Sequence, residues 1–198
     1  MNDILAGGFA TLGAGFLGSI PFGLLLTRWA GLGDIRNVGS GNIGATNVLR
    51  TGRKGLAAAT LLLDALKGTL AVWLVGALLG WNWAPFAALA AVLGHCHPPW
   101  LQGQGGKGVA TALGVMLGLG WPVFAVAALA WLAAAAVSRI SSVGAMAAMA
   151  AGAASSWFLL DPVSATAVTV AGAYVIGRHE ANIKRLMAGT EPRIGRKE

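Results

Sequence analysis

The sequence contains few charged residues and a single cysteine. Of its 198 residues only 14 are Lys or Arg and 7 are Asp or Glu, which is 11% charged, whereas soluble domains average about 25%. With 56% hydrophobic residues, too little polar surface remains to cover a water-soluble globule. Disorder is excluded as well, because disordered chains are poor in apolar residues. The one cysteine, Cys96, cannot form an intrachain disulfide.

Long apolar runs are present instead, and they predict a membrane protein. A bilayer core about 30 Å thick needs roughly 20 apolar helical residues. The run 109–137 would form a helix about 43 Å long, so we divide it at the sequence from Gly118 to Pro122. The sequence then predicts an all-α, polytopic integral membrane protein with seven transmembrane helices, at about 4–26, 56–79, 85–94, 109–137 as two spans, 143–160 and 163–176.

The basic residues favour seven helices over six. With seven, 13 of the 14 Lys and Arg residues fall on one side, Lys67 lies inside the second span, and the opposite side carries only Asp3 and Asp161. Cytoplasmic loops carry an excess of Lys and Arg. We therefore expect the N-terminus outside and the C-terminus in the cytoplasm. The chain is predicted to be a single seven-helix membrane domain, 1–198, with three cytoplasmic motif segments at 33–54, 94–111 and 177–198.

The first polar segment is rich in glycine and small polar side chains. It contains RNVGSGNIGATNVLR at residues 36–50. A glycine-rich backbone can present N–H groups to an anion, and Arg50 adds a planar fork of donors that suits phosphate. A flexible polar connector with one interfacial arginine is the alternative that this pattern leaves open.

The second polar segment, GHCHPPWLQGQGGKGVAT, is also rich in glycine. Its residues 105–108 could wrap backbone amides and the Lys107 ammonium around a phosphate, or form a re-entrant turn with an interfacial lysine. Positions 101 and 108 do not fit a Walker loop, so nucleotide binding is unsupported. His95 and His97 have no third ligand cluster beside them, and no metal site is predicted.

The third polar segment, GRHEANIKRLMAGTEPRIG, follows the last span directly. At helical spacing Arg178, His179 and Asn182 offer a cation, an imidazole and an amide on one face. The alternative is a basic tail that anchors to anionic lipid.

Two charged residues, Asp64 and Lys67, lie three positions apart inside the second span. Charges within a membrane span are costly and are usually paired. We predict a structural ion pair. The alternative is that the two residues lean towards the active site and orient its ligands.

Four segments of the chain resemble one known family. GSGNIGATNVLR, LDALKG, GHCHPPWLQGQGGKGVAT and RHEANIKRLMAGTEPRIG are similar, in the same order, to segments of the bacterial acyl-phosphate:glycerol-3-phosphate acyltransferases, the PlsY family. Ile43 stands where the family usually has proline, and Gln104 where it often has a basic residue. The first departure affects the loop, and the second removes one phosphate contact.

The resemblance implies transfer of a fatty acyl group from acyl phosphate to the sn-1 hydroxyl of glycerol 3-phosphate, giving lysophosphatidic acid and phosphate in phospholipid biosynthesis. It implies a multi-pass enzyme of the bacterial inner membrane with its site on the cytoplasmic face and no cofactor. Its partners would be the two substrates and membrane lipid, with no nucleic acid and no obligate protein. The residues implied as catalytic are Ser40, Arg50, Lys107, His179 and Asn182, and those implied as substrate-binding are Asn42, Gly44, Thr46, Asn47, Gly105, Gly106 and Gly108, whereas Glu191 is expected to be structural.

A small anion transporter or exporter is the alternative function. It predicts polar groups near the membrane midplane and internal repeats. The sequence has no internal repeat, and its polar motifs lie on one face.

The proton acceptor is left open between two groups. Ser40 has no base partner visible in the sequence, so we expect direct attack by the glycerol hydroxyl, with Ser40 as a donor, rather than an acyl-enzyme. None of the seven carboxylates lies in the glycine-rich loops. This leaves His179 or a phosphate oxygen of the acyl donor, and we favour the phosphate oxygen, with a cationic His179 holding glycerol 3-phosphate.

Overall fold

The structure is a computed structural model that describes residues 2–195, and within them it contains helices and no strands. The all-α prediction is therefore confirmed. Two short 3-10 turns, Ile35–Asn37 and Pro99–Leu101, lie in the polar segments. The ten α-helices are α1 Asn2–Gly18, α2 Phe22–Trp29, α3 Ala45–Leu49, α4 Lys54–Leu79, α5 Ala84–Cys96, α6 Val109–Leu119, α7 Trp121–Ser138, α8 Ser141–Leu159, α9 Pro162–Gly177 and α10 Glu180–Met187.

Several helices have the length and composition of membrane spans. Asn2–Trp29, which comprises α1 and α2, and the helices α4, α7 and α8 are long and apolar enough to cross a bilayer, while α6 and α9 are shorter apolar helices. Large apolar side chains cover their outer faces: Phe9 is 72%, Leu78 77% and Phe158 88% exposed. Extensive exposed apolar surface marks a membrane-facing or binding surface. The chain is thus an integral membrane protein, as its composition predicts.

Two helix breaks divide the apolar runs. The break predicted within 109–137 is confirmed, because α6 ends at Leu119 and α7 begins at Trp121. The first apolar run is also broken, between Gly18 and Phe22. Pro21 lies in that break and has no N–H to continue a helical ladder. The first predicted span is therefore two helices rather than one.

Small residues allow the helix backbones to touch. A Cβ added to Gly114 of α6 would lie 1.9 Å from the Ala65 carbonyl oxygen of α4, and one added to Gly18 of α1 would lie 2.1 Å from the Ala91 oxygen of α5. Such close approach through small residues is how membrane helices commonly pack. It holds α4 against α6 and α1 against α5.

The polar segments meet at one end of the bundle. Thr46 of α3 is 3.1 Å from the Ser141 hydroxyl at the start of α8. Lys107, just before α6, donates to Asn182 of α10 at 2.6 Å. The carbonyl at Arg139, after α7, accepts a hydrogen bond from the backbone N–H of residue 194 at 2.7 Å. Segments far apart in the sequence therefore share one site.

Candidate active site

Asn47 shapes the first polar segment. It is 2% exposed, and its Nδ2 donates to the carbonyls of Ile35, Val38 and Asn42 at 2.8–3.0 Å. Its Oδ1 accepts the backbone N–H of Ser40 at 3.0 Å. Because both ends of the amide are engaged, Asn47 fixes the loop rather than offering a free group to a ligand. The substrate-binding role predicted for Asn47 stays a prediction.

The outer groups of this loop line a cavity of about 430 Å³. Ser40 and Arg50 are exposed on it. Gly39 has a positive φ of 52°, and a Cβ there would lie 2.7 Å from Arg50 Cδ. Glycine at this position therefore lets the arginine side chain lie across the loop. The other predicted residues of this segment that line the cavity are Asn42, Gly44, Thr46 and Asn47.

The glycine loop before α6 does not present all its amides to the cavity. Gly105 N–H donates to the Cys96 carbonyl and Gly106 N–H to the His95 carbonyl, each at 3.1 Å. Neither glycine lines the cavity, whereas Gly108 does. Both amides are therefore engaged within the protein, and the substrate-binding role predicted for Gly105 and Gly106 stays a prediction. The absence of a side chain at Gly106 also serves packing, because a Cβ there would lie 2.0 Å from His95 Nε2.

A chain of side-chain hydrogen bonds joins the second polar segment to the third. Lys107 Nζ donates to Asn182 Oδ1 at 2.6 Å, and Asn182 Nδ2 donates to Glu191 Oε1 at 2.5 Å. The Glu191 carboxylate also accepts from Ser142 Oγ and from Arg185 Nε, each at 2.7 Å. All five residues line the cavity. Glu191 thus ties α8, α10 and the segment after α10 together, in line with the structural role expected of it.

Lys107 and Glu191, at the two ends of this series of hydrogen bonds, are both ionised near neutral pH. Burial lowers the pKa of Lys107 to about 8, while the nearby Glu191 charge acts in the opposite direction. Burial disfavours the charge of Glu191, but the hydrogen bonds from Asn182, Ser142 and Arg185 outweigh it, so its pKa lies below the ordinary value. The lysine is therefore a cation at neutral pH that loses its charge at unusually mild alkaline pH.

His179 precedes α10 and is 3% exposed. Its Nδ1 lies 2.7 Å from the Val175 carbonyl oxygen. Since a carbonyl only accepts, Nδ1 carries the proton and Nε2 keeps its lone pair in the neutral ring. Burial lowers the pKa of His179, the Val175 hydrogen bond opposes this, and the Lys107 charge lowers it further. The free site therefore holds a neutral imidazole, so the cationic His179 expected from the sequence needs bound phosphate to raise its pKa.

Arg178 does not join the face predicted for it. His179 and Asn182 both line the cavity, but Arg178 does not. Its Nη2 instead lies 3.4 Å from the Gly106 carbonyl oxygen, behind the glycine loop. Of the three residues predicted to share one face, His179 and Asn182 therefore line the cavity and Arg178 does not.

The predicted ion pair in the second span is confirmed. Lys67 Nζ lies 2.6 Å from Asp64 Oδ1, and the two side chains are 2% and 3% exposed. Lys67 also donates to the Ile20 carbonyl in the break between α1 and α2. Its ammonium is 2.9 Å from His95 Nδ1, and Asp64 and His95 both line the cavity. The contact of this pair with His95 could not be read from the sequence.

The remainder of the cavity is apolar. Side chains of α4, α6 and α7 form a trough that continues from the polar end, and they include Leu61, Leu62, Leu113, Phe124, Trp131 and Leu132. A cavity with cations at one end and hydrocarbon side chains at the other fits a molecule with an anionic head and an apolar tail. No group of three or more His, Cys, Asp or Glu side chains suited to a metal ion occurs in residues 2–195.

Several polar residues of the cavity were not predicted as site residues, among them Ser141, Ser142 and Arg185. The two serines are the first residues of α8, just after the short turn that follows α7, where the sequence resembles an ordinary connection between apolar helices. Arg185 resembles the solvated basic face of a juxtamembrane helix. Hydrogen bonds to Glu191 hold Ser142 and Arg185 at the site, and Ser141 contacts Thr46.

An integral membrane fold with a cationic, amphiphilic site at one end defines a class of enzyme that works on lipids at the membrane boundary. Comparison with known proteins gives the family. The family model described as "Glycerol-3-phosphate acyltransferase" matches residues 9–189. The chain belongs to this family, as its motifs predict, and the comparisons support the acyltransferase function rather than the transporter.

Relatives and solved structures agree with this assignment. The chain is 58% identical to glycerol-3-phosphate acyltransferases of Mesorhizobium japonicum, over 91% of this chain and 92% of the relative, and of Paramagnetospirillum magneticum, over 96% and 94%. It is 36% identical to the crystal structure of PlsY, an integral membrane glycerol 3-phosphate acyltransferase, in its glycerol 3-phosphate form, with a TM-score of 0.91. The lysophosphatidic acid form is 34% identical to this chain with a TM-score of 0.89. Each of the two comparisons covers 96% of both chains.

Proposed function

We propose that the enzyme transfers a fatty acyl group from acyl phosphate to the sn-1 hydroxyl of glycerol 3-phosphate and releases lysophosphatidic acid and phosphate. One observation carries the proposal: the cavity joins the cations of Arg50 and Lys107 to an apolar trough. A soluble phosphate and a lipid-tailed phosphate can meet there. The solved relatives are described as glycerol 3-phosphate and lysophosphatidic acid forms, which supports the acceptor and the product.

The cations offset the repulsion between the two substrates. Each phosphate carries about −1.5 to −2 charge. Two such groups about 6 Å apart repel by roughly 6 to 11 kcal/mol at an effective dielectric constant of 20. Arg50, Lys107 and Arg185 all line the cavity. Their fixed charges suit two phosphates better than one.

The reaction proceeds by direct attack. The glycerol hydroxyl oxygen forms a bond to the acyl carbonyl carbon, the bond from that carbon to the phosphate oxygen breaks, and the hydroxyl proton passes to a phosphate oxygen. Ser40 Oγ has no hydrogen bond to a base among residues 2–195, which supports a donor role rather than an acyl-enzyme. Ser40 and Arg50 then stabilise the charge that develops on the carbonyl and phosphate oxygens.

The donor is tested with the purified protein in lipid nanodiscs. Palmitoyl phosphate and glycerol 3-phosphate should give equal amounts of lysophosphatidic acid and free phosphate, while acyl-CoA and acyl carrier protein should not replace the acyl phosphate. Arg50→Ala should abolish most turnover, and Arg53→Ala, an exposed arginine three residues on, should retain it. Comparable turnover with acyl-CoA would refute the proposed donor.

We further propose a single seven-span domain, with the N-terminus outside and the three polar segments on the cytoplasmic face of the bacterial inner membrane. Polar segments that follow the first, third, fifth and seventh apolar runs contact one another, as in the bonds Thr46–Ser141 and Lys107–Asn182. An odd number of spans with these segments on one side is consistent with that arrangement. The excess of basic residues indicates the cytoplasmic side.

Topology is tested with reporter fusions. Green fluorescent protein fused after Lys197 should fluoresce, and alkaline phosphatase at the same position should be inactive. A fusion truncated after Asn82, between α4 and α5, should give the opposite result. Active phosphatase after Lys197 would contradict both the seven spans and the cytoplasmic site.

A further inference from the structure

His95 is a buried imidazole that the reaction described above does not use. It lies in the last turn of α5, is 4% exposed, and yet lines the cavity. The glycine loop folds back on it, since its carbonyl accepts the Gly106 N–H. The ring is therefore beside the segment that carries Lys107.

Lys67 determines which ring nitrogen of His95 carries the proton. Lys67 Nζ lies 2.6 Å from the Ile20 oxygen, 2.6 Å from Asp64 Oδ1 and 2.9 Å from His95 Nδ1. An ammonium has three donors and no acceptor, so His95 Nδ1 must accept. Asp64 Oδ1 is 3.7 Å from the same nitrogen, too far for a hydrogen bond. The neutral ring therefore carries its proton on Nε2.

The Nε2–H group belongs to a ring that lines the cavity. It has no hydrogen-bond partner among residues 2–195. Two side-chain atoms in residues 2–195, Thr11 Oγ1 and Arg178 Nε, are fully buried and have no hydrogen-bond partner. His95 Nε2 is not one of them, so this atom keeps some accessible surface. It lies against Gly106, where an added Cβ would be 2.0 Å away. This unpaired donor, on a ring that is 4% exposed, thus lies against the glycine that precedes Lys107.

We propose that His95 is a further substrate-binding residue, whose Nε2–H donates to a phosphate oxygen of the substrate held by Lys107. The inference rests on the proposed function, and its ligand class is a phosphate group, of acyl phosphate or of glycerol 3-phosphate. Lys67 and Asp64 are positioning residues that act through His95. The described residues give this N–H no partner, and a bound phosphate oxygen would supply one.

The two imidazoles of the cavity then have complementary roles. His179 uses its Nδ1 proton on Val175 and presents a lone pair. His95 Nδ1 accepts a hydrogen bond from Lys67, so the proton on Nε2 is available to a ligand. His179 can accept a hydrogen bond from the glycerol hydroxyl or from a protonated phosphate. His95 can donate a hydrogen bond to a phosphate oxygen.

Nitrogen NMR of the full-length protein, labelled with ¹⁵N-histidine, tests the inference without turnover. The chain has three histidines, and His95→Gln and His97→Gln assign their signals. We expect His95 protonated on Nε2 and not on Nδ1, and a shift of that Nε2 signal when glycerol 3-phosphate or palmitoyl phosphate is added. The substrate that shifts the His95 Nε2 signal is the one whose phosphate accepts the hydrogen bond. A proton on Nδ1, or an Nε2 signal that neither substrate moves at saturation, overturns the proposal.

Kinetics provide a second readout. His95→Phe keeps a ring and removes the donor, and His95→Gln keeps a donor near Nε2. We expect the Phe variant to raise the KM of one substrate by about 10- to 100-fold, as for a lost hydrogen bond to a charged group, and the Gln variant to recover part of it. Unchanged KM and kcat in a folded Phe variant overturn the proposal. Wild-type protein that is inactive with acyl phosphate refutes the proposed function instead, and the NMR titration with glycerol 3-phosphate still decides the role of His95.

Discussion

Lys107 Nζ and Asn182 Oδ1 are 2.6 Å apart, although 75 positions separate the two residues. The other end of the same amide donates to Glu191, so its oxygen faces the lysine and its nitrogen faces the carboxylate. A carboxylate and an ammonium are thereby linked through one neutral side chain. The lysine is held in place without being neutralised by direct contact with an acid.

Replacement of Asn182 by alanine should therefore disable the lysine rather than unfold the protein. Lys107 and Glu191 lose their link, and we expect kcat/KM to fall by at least about 10²-fold, as when a preorganised donor is lost. Asn37→Ala, an exposed asparagine of the first polar segment, is the matched control and should be neutral. Steady-state kinetics in nanodiscs measure both. An Asn182→Ala variant with normal kcat/KM would show that the link is dispensable.

Activity should depend on pH through Lys107. Its pKa of about 8 lies below the ordinary value, so the ammonium loses its charge as pH rises through 8, and phosphate binding weakens. Because kcat/KM reports the pKa values of the free enzyme, log kcat/KM should bend downwards near pH 8. In Lys107→Arg, whose guanidinium stays charged, any remaining activity should lack this bend. A wild-type profile that is flat to pH 10 would contradict the assignment.

Gly106→Ala should be far more harmful than its small size suggests. The added Cβ would meet His95 Nε2 at 2.0 Å, so the loop must move and carry Lys107 away from Asn182. We expect a loss of at least about 10²-fold in kcat/KM. Gly55→Ala in α4 has no atom within 4 Å of the added Cβ and should be neutral or stabilise by about 1 kcal/mol. Equal activity of the two variants would refute the packing role of Gly106.

The sequence predicts the helices better than the loops because hydropathy is local and side-chain contacts are not. The break at Gly120 follows from adjacent glycine and proline residues in the sequence. The break between α1 and α2 lies in a continuous apolar run. The hydrogen bond that Lys67 donates to the Ile20 carbonyl in this break joins residues 47 positions apart, so the local sequence does not predict it. Glycine spacing correctly indicates a compact loop, but it cannot say whether an amide is free. The bonds of the Gly105 and Gly106 amides to backbone carbonyls could therefore not be predicted from the pattern.

His179 provides the sharpest test of the proton transfer. In the free site it is neutral, with Nδ1–H bound to Val175 and a lone pair on Nε2, so it has the form of a base. Two bound phosphates would raise its pKa by placing negative charge beside it. The second ionisation of a phosphate monoester, near pH 6, also lets a phosphate oxygen take the proton near neutral pH. Either group satisfies the chemistry.

We expect the phosphate oxygen to be the acceptor, with His179 binding glycerol 3-phosphate. His179→Gln keeps a hydrogen-bonding side chain that cannot take up a proton, so it should raise the KM for glycerol 3-phosphate by about 10-fold or more and leave appreciable kcat. Thermal unfolding with and without glycerol 3-phosphate controls for folding. A kcat near zero at saturating substrate, in a folded variant, would instead make His179 the base, because binding would be restored by concentration and only the proton transfer would be missing.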